Sequence, residues 1–349
     1  MVVTRRFLAF APAILGASAA LRFHSAQAQA GCGTGPQLSV YHAGSLSAAF
    51  TPLETLFTQQ TGICVTDASA GSLDAARRVT AGGEPCDIYA SADDRDIDLL
   101  LKPAGFADYT IRFARGAMVL AYTTNSRNAG TIAGSGTLAP PDQVPMLADD
   151  WYRQLTQTGV VIGSSHPFLD PSGYRTDMVF QLAELTTGVP NLYDQLLTHL
   201  SVTRASDLLG QTYDYQFTYE HSARAAYAAN PGTYRYARLP AAVGLSDPRL
   251  NASYAKAGVV VPGLRTPEAE PYVRIPASRT RWGLTILRNA PNRDAAVRFL
   301  QLLLGEQGFA QLSDTGPEPI SPALVTAEDY TRLPSELQAL VRIGRSPAD

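Results

Sequence analysis

Short apolar runs alternate with longer amphipathic segments through the first third of the chain. The runs at residues 38–41, 63–66 and 87–90 have the length of buried strands. Helical periodicity follows at 45–60 and 72–80, and a further helix is expected to begin at Ser91. Repeated strand–helix units predict an α/β fold with mainly parallel sheets and helices on both faces.

The same alternation continues beyond residue 117. Residues 118–123, 160–163 and 283–287 have the pattern of strands, whereas residues 174–186 and 295–304 have the pattern of helices. Glycine and proline are dense from residue 130 to 145, which predicts an exposed loop. A Gly-containing segment, 305–308, is expected to end the last of these helices.

Residues 213–220 alternate between aromatic and polar side chains. Tyr213, Tyr215, Phe217 and Tyr219 would share one face of a strand, and the opposite polar face would end in Glu220. This pattern predicts a half-buried strand that carries a carboxylate at its end.

The chain has 349 residues, a length that favours two lobes over one core. We expect residues 31–121 and 284–349 to build lobe one and residues 122–283 to build lobe two, with a hinge between them. In such folds a ligand lies between the lobes, at the carboxyl ends of the strands.

The first 30 residues have the pattern of a cleaved signal peptide. Arg5 and Arg6 precede an apolar run, and Ala28-Gln29-Ala30 forms an A-x-A cleavage signal. A periplasmic protein is therefore expected, with Sec and twin-arginine export both open and lipid anchoring through Cys32 a less favoured alternative. Among Cys32, Cys64 and Cys86, one disulfide and three free thiols are both compatible with the sequence.

Composition and motifs exclude several function classes. A net charge of −3 gives no basic face for a nucleic acid. The sequence has no G-x-S-x-G elbow, no phosphate-binding loop and no Cys or His spacing typical of zinc, so no cofactor is expected. Two alternatives stay open at this point, an exported hydrolase that uses Ser45 and His42 and a ferric site built from Tyr234 and Tyr236.

Serines that begin helices after strands suggest an anion site. Backbone N–H groups at helix starts, together with the hydroxyl groups of Ser45, Ser72 and Ser172, can bind an oxyanion without a balancing cation. The alternative is that each serine is only a helix cap. Asp170 and Glu220 would repel a dianion, so their residue types alone favour a cap and a surface position.

Several motifs together resemble the archaeal-type branch of the tungstate/molybdate-binding proteins of ABC importers. The first is Val40-Tyr41-His42-Ala43-Gly44-Ser45-Leu46, and another is Asp170-Pro171-Ser172-Gly173-Tyr174-Arg175. The remaining segments that carry the resemblance are 70–72, 87–93, 113–123, 181–185 and 213–220. The resemblance implies a two-lobed type II periplasmic-binding-protein fold.

The resemblance also implies a ligand and its contacts. The ligand would be molybdate or tungstate, held at Gly44, Ser45, Ser72, Asp170, Pro171, Ser172 and Glu220. Asp170 and Glu220 would be direct ligands of the molybdenum or tungsten atom, which accepts further oxygens as sulfur does not. Two positions depart from the family pattern. Ser172 is at a position where the family often has cysteine, and residues 239–243 lack the tyrosine with which the family contacts its ligand.

A monomeric, non-enzymatic receptor follows from this resemblance. It would carry the small oxyanion through the periplasm to a membrane ABC permease. Binding of sulfate, phosphate or a ferric complex is the alternative within the same class of protein, and the Ser/His hydrolase is the alternative from another class.

Overall fold

The computed structural model describes residues 27–28, 37–132, 144–202, 208–264 and 272–344. The predicted leader, apart from residues 27 and 28, and most of the predicted 130–145 loop lie outside these ranges. Within them, the predicted alternation of strands and helices is confirmed. Among the helices of these ranges, none has the length and apolar composition of a membrane span.

Fifteen strands are found in the described ranges. They are β1 (Gln27–Ala28), β2 (Gln37–Ala43), β3 (Cys64–Ala70), β4 (Ile88–Ser91), β5 (Ile111–Gly116), β6 (Met118–Thr123), β7 (Ile162–Ser164), β8 (Leu200–Val202), β9 (Tyr215–Tyr219), β10 (Tyr234–Arg238), β11 (Gly258–Pro262), β12 (Tyr272–Pro276), β13 (Thr280–Ile286), β14 (Glu318–Val325) and β15 (Val341–Ile343).

Twelve α-helical segments accompany these strands in the described ranges. They are α1 (Ser47–Thr61), α2 (Ser72–Val79), α3 (Asp94–Asp96), α4 (Tyr152–Leu155), α5 (Pro171–Thr187), α6 (Leu192–Thr198), α7 (Glu220–Ala229), α8 (Asn251–Tyr254), α9 (Arg293–Leu303), α10 (Glu306–Thr315), α11 (Ala327–Arg332) and α12 (Ser335–Gln338). Two 3₁₀ turns, Gly44–Leu46 and Pro248–Leu250, and a π-helical segment, Ile97–Leu101, complete the set.

The strands form two large sheets and one hairpin. The first sheet has the order β1-β3-β2-β4-β13-β5-β14-β15, and the second has the order β10-β6-β9-β7-β8. Strands β11 and β12 pair separately. The chain therefore enters the second sheet after a single residue, Ala117, and returns to the first sheet at Thr280, so the predicted lobe limits at 121/122 and 283/284 fall inside β6 and β13.

The predicted α/β class is confirmed, but the sheets are mixed rather than mainly parallel. Strand β2 is parallel to β3 and β4, as the strand–helix–strand pattern predicts. Strand β13 is antiparallel to both β4 and β5, and β6 is antiparallel to β9 and β10. These reversals occur where the chain passes between the sheets without an intervening crossover helix.

Helices cover both faces of the first sheet, which explains its apolar strands. Leu38 and Val40 lie in the core on the side of α1, with Phe50. Tyr41 and Tyr89 project into a separate cluster on the side of α2. A strand covered on both faces is apolar throughout its length, and all six residues of β6 are buried in the same way.

Two local predictions were wrong, and a third, the end of α9 before the 305–308 segment, was right but incomplete. Asp93, rather than Ser91, caps the helix after β4, since its carboxylate accepts a hydrogen bond from the amide of Arg95. Gly305 is followed by a second helix, α10, whereas the 305–308 segment was expected only to end α9. Glu220 begins helix α7 and does not end a strand, because the extended backbone stops at Tyr219.

The described cysteines differ in state. Cys64 forms a disulfide, whereas Cys86 is a free thiol, buried in the sheet. Burial raises the pKa of the Cys86 thiol well above its usual value, which keeps it protonated and unreactive. Cys32 lies outside the described residues.

Candidate functional site

The start of helix α2, in lobe one, packs against the start of helix α5, in lobe two. The amide of Asp74, in the first turn of α2, donates to the carbonyl oxygen of Leu169 at 3.2 Å. A Cβ atom added to Gly71 would lie 2.3 Å from that oxygen and 3.1 Å from the Cβ of Asp170. Only glycine allows this approach, so the turns before α2 and α5 are packed together across the lobe boundary.

Asp170 caps the helix that begins at this junction. Its Oδ1 atom accepts a 2.9 Å hydrogen bond from the amide of Ser172. Pro171 occupies the first helical position, where its lack of an N–H group costs no hydrogen bond. The positive ends of α2 and α5 therefore converge, and such helix ends favour negative charge.

The hydroxyl group of Ser72 is already used within its own lobe. Ser72 is fully buried, and its Oγ accepts a 3.1 Å hydrogen bond from the amide of Ala92. Its carbonyl oxygen accepts a 2.8 Å bond from the hydroxyl of Tyr89. The side chain of Ser72 therefore ties the start of α2 to the end of β4 by accepting a hydrogen bond.

Ser45 lies in the 3₁₀ turn that follows β2, next to the exposed Gly44. Its Oγ accepts a 3.0 Å hydrogen bond from Nε1 of Trp282, and its carbonyl oxygen accepts a 2.9 Å bond from Nε2 of His221. His42 has other contacts, with Nδ1 2.8 Å from the carbonyl of Ala43. The described contacts thus do not bring His42 and Ser45 together as a hydrolase pair.

Arg175 joins the two lobes through a buried guanidinium. Nη1 donates to the carbonyl of Ala92 at 2.5 Å and to the hydroxyl oxygen of Tyr219 at 2.9 Å, and Nη2 lies 3.3 Å from Oδ2 of Asp93. Burial acts against the charge, but Tyr219 and Asp93 raise the pKa of Arg175 above its usual value. The guanidinium therefore stays cationic beside the junction.

The two side chains that donate hydrogen bonds to Ser45, Trp282 and His221, belong to an aromatic cluster. The ring of Trp282 lies 4.9 Å from that of Tyr219 and 5.2 Å from that of His221, both in edge-on contact. Burial lowers the pKa of His221 to about 4, so the ring is neutral near neutral pH. A neutral imidazole with its proton on Nε2 is the form that donates to the carbonyl of Ser45.

The Glu220 side chain forms an ion pair outside this set of contacts, although Glu220 lines the same cleft as His221. Its Oε1 accepts a 2.7 Å hydrogen bond from Nε of Arg238, which forms an ion pair on the face of α7. It lines a cleft of about 520 Å³ together with Arg115, Arg279 and Glu318. The described contacts connect the turns of Ser45, Ser72 and Asp170 through Arg175 and Trp282, and they do not include the carboxylate of Glu220.

Four side chains of this region have no role assigned from the sequence. Tyr219 was expected only on the aromatic face of a strand and Arg175 only as part of a motif, and the sequence patterns assigned no position to His221 or Trp282. The structure explains the role of Arg175, since residues 173–176 of its helix are all buried. A charged residue within such a run indicates a buried polar partner.

Comparisons with known proteins give consistent results. The family described as "Bacterial extracellular solute-binding protein" matches residues 38–317. An uncharacterized solute-binding protein of Petrotoga mobilis is 31% identical over 317 residues, covering 88% of this chain and 91% of its own. The molybdate/tungstate-binding protein WtpA of Pyrococcus abyssi is 30% identical over 342 residues, covering 88% and 90%.

Solved structures show the same fold. The sulfate-binding protein SubI of Mycobacterium tuberculosis H37Rv superposes with a TM-score of 0.56 at 15% identity, covering 88% of this chain and 94% of its own. At that identity the likeness concerns the fold alone. It confirms the predicted two-lobed, type II periplasmic-binding-protein architecture.

Proposed function

The chain belongs to the bacterial extracellular solute-binding protein family, and from this premise we propose that it binds molybdate or tungstate and delivers the anion to a membrane ABC permease. It acts as a receptor and requires no further cofactor. Relatives named for molybdate and tungstate, about 30% identical over most of the chain, support this choice of ligand.

The observation that carries the proposal is the junction of the two helix starts. Gly71 and Ser72 of one lobe face Leu169 and Asp170 of the other, and both turns end in a helix N-terminus. Backbone N–H groups at such ends bind oxyanions without a counter-cation. Gly44, Ser45, Pro171 and Ser172 complete the proposed contacts, with Arg175 providing positive charge behind them.

The two carboxylates provide selectivity in this proposal. Asp170 and Glu220 coordinate the molybdenum or tungsten atom directly, and the same negative charges repel sulfate, which cannot accept further oxygen ligands. Oδ1 of Asp170 caps α5, which holds the carboxylate at the junction of the two helix starts. Glu220 reaches the anion only after it exchanges its ion pair with Arg238, a change that we assign to ligand binding.

The remaining parts of the proposal concern the setting of the protein. Residues 1–30 serve as the signal peptide, and the mature protein acts as a monomer in the periplasm. A lobe boundary inside a strand would interrupt the hydrogen bonds between that strand and its neighbours. We therefore place the boundaries between strands, at Ala117 and just before Thr280. Closure of these lobes about the two connections is the expected hinge motion.

Isothermal titration of the mature protein with tungstate, molybdate and sulfate tests the ligand. We expect one-to-one binding of the first two anions and none of sulfate. Binding of sulfate or phosphate in place of molybdate would assign the protein to the alternative anions. Ester hydrolysis that is lost in the Ser45→Ala variant would favour the hydrolase instead.

Carboxylate variants test the selectivity. Glu220→Gln and Asp170→Asn remove charge and keep shape, and both are expected to weaken tungstate binding strongly. Glu318→Gln is the matched control, since Glu318 lines the same cleft and pairs with Arg115. Unchanged or tighter molybdate binding in the double variant Asp170→Asn with Glu220→Gln would exclude metal-ligating carboxylates.

A further inference from the structure

Three side chains from separate elements of lobe one meet beneath the Ser45 turn. His42 lies on β2, Asp67 on β3 and Glu54 on α1, and one donor atom from each lies within 4.8 Å of the other two. His42 is fully buried, Glu54 is 3% exposed and the Asp67 side chain is 22% exposed. The group thus has one edge near solvent and is otherwise enclosed.

Strand register and helix periodicity bring these residues together. Val40 pairs with Asp67 in the parallel ladder, and His42 lies two residues beyond Val40 on the same face. That face is covered by α1, whose buried stripe includes Phe50, and Glu54 follows one helical turn later in the same stripe. The meeting is therefore fixed by the fold of lobe one alone.

The donor atoms lack hydrogen-bond partners among the described residues. Nε2 of His42, Oδ1 of Asp67 and Oε1 of Glu54 are all buried and unsatisfied. Nε2 lies 2.8 Å from Oδ1 of Asp67, yet neither atom meets the directional requirement of a hydrogen bond. The approach of Nε2 to Oδ1 becomes an ion pair when His42 is protonated. Buried polar atoms are almost always paired, so three unsatisfied ligand atoms that face one point also suit a bound cation.

The other ring nitrogen of His42 is compatible with metal binding. Nδ1 lies 2.8 Å from the carbonyl oxygen of Ala43. When the ring is neutral with its proton on Nδ1, it donates to this carbonyl and Nε2 has a lone pair, as in metal-binding histidines. Although burial opposes the charge, Asp67 and the Ala43 carbonyl raise the pKa of His42, so a metal binds in competition with a proton on Nε2.

We propose that His42, Glu54 and Asp67 form a binding site for a divalent transition-metal cation, with Zn²⁺ as the best match. One imidazole nitrogen and two carboxylates are a common ligand set for zinc, and the exposed edge at Asp67 admits a water as the remaining ligand. Calcium requires more oxygen ligands than this enclosed group provides. Magnesium keeps several bound waters, and the enclosed site has no room for them. None of the three residues is among the proposed anion contacts, although His42 lies two residues before Gly44.

Metal binding to the chelator-treated mature protein tests the site. Titration with ZnCl₂ is expected to show one tight equivalent, and Co²⁺ is expected to give the visible absorption of a four-coordinate ion. Zn²⁺ is also expected to raise the melting temperature, since it binds only the folded state. The absence of tight Zn²⁺ binding by the wild-type protein would overturn the proposal.

Variants connect the signal to these residues. Glu54→Gln and Asp67→Asn keep the side-chain volumes and are expected to lose Zn²⁺ binding and the zinc-dependent rise in melting temperature. His166→Gln is the matched control, since His166 is an exposed histidine at which metal can bind adventitiously. This variant is expected to bind one equivalent of Zn²⁺ as the wild type does. Loss of tight Zn²⁺ binding in His166→Gln, or its retention in both carboxylate variants, would contradict the proposed site. Tungstate titration of Glu54→Gln tests the anion site separately, so that a failure of the Zn²⁺ proposal is distinguished from a failure of the anion proposal.

Discussion

The guanidinium of Arg175 donates a hydrogen bond to the backbone carbonyl of Ala92 at 2.5 Å, across the boundary between the two lobes. Arg175 lies on α5 of the second lobe, and Ala92 follows β4 of the first. Since the amide of Ala92 is itself bonded to Ser72, the contact continues to the start of α2. The relative position of the two lobes is thus linked to the turn that we assign to the anion.

Replacing Arg175 with methionine should strongly destabilise the protein. The change removes the charge beside the buried Asp93 and the donors to Ala92, and breaking a buried pair in this way costs about 3–5 kcal/mol. Arg153→Met is the control, because Arg153 is 70% exposed and its loss should change the stability by less than about 0.5 kcal/mol. Urea unfolding measures both, and equal stabilities of the two variants would contradict the prediction.

Replacing Gly71 with alanine should weaken anion binding without unfolding the protein. Gly71 has an ordinary backbone conformation, with φ −63° and ψ 137°, so alanine introduces no strain there. Its Cβ would lie 2.3 Å from the carbonyl oxygen of Leu169, which must move away as the lobes separate. We expect at least a roughly tenfold loss of tungstate affinity, about 1.4 kcal/mol.

A second glycine provides the control for this experiment. Gly232 has open space around its added Cβ, and Gly232→Ala should bind tungstate as the wild type does. Small-angle scattering of Gly71→Ala should also show a larger radius of gyration with tungstate present. Equal affinities for the two variants would mean that the Gly71–Leu169 contact is not part of the closed, ligand-bound state.

Local patterns predicted those elements whose form depends on nearby residues. Helix α5 was expected after Asp170-Pro171-Ser172, and the structure gives Asp170 the capping role that its residue type favours. Strand β2 extends the expected 38–41 run by a few residues at its ends. Caps, prolines and apolar periodicity act over a few residues, so one sequence is enough to find them.

The remaining features depend on partners that are distant in sequence. Glu220 was expected at the end of a polar strand face, but its environment is determined by Arg238, which a neighbouring strand brings to it. His42, Glu54 and Asp67 show no metal-binding spacing, because a parallel register and a helix stripe assemble them. Motif spacing detects ligands on one element and misses those that tertiary contacts bring together.

Replacing Ser72 with alanine separates a structural role from a ligand role. The change leaves the buried amide of Ala92 without its acceptor, which should cost about 1–3 kcal/mol of stability. The affinity for tungstate should remain near that of the wild type, because the backbone amides at the start of α2 are kept. Ser253→Ala, at an exposed helical serine, is the control for stability. A large loss of affinity at unchanged stability would show that the hydroxyl binds the anion.

The contact between His221 and Ser45 should make stability depend on pH. Burial lowers the pKa of His221 from 6.5 to about 4 in the folded protein, so between these values the unfolded chain binds a proton that the folded protein excludes. Stability from this group is therefore complete above about pH 6.5 and is lost as the pH falls towards 4. The shift corresponds to about 3 kcal/mol over that interval.

The comparison with His221→Gln isolates this contribution. Glutamine can still donate to the Ser45 carbonyl but does not titrate, so the stability of the wild type should fall more steeply than that of the variant between pH 6.5 and 4. Glu54, whose pKa burial raises to about 7, also takes up protons in this interval, but it contributes to both proteins and cancels in the difference. Parallel profiles for wild type and His221→Gln would mean that His221 is protonated as readily in the folded protein as in the unfolded chain.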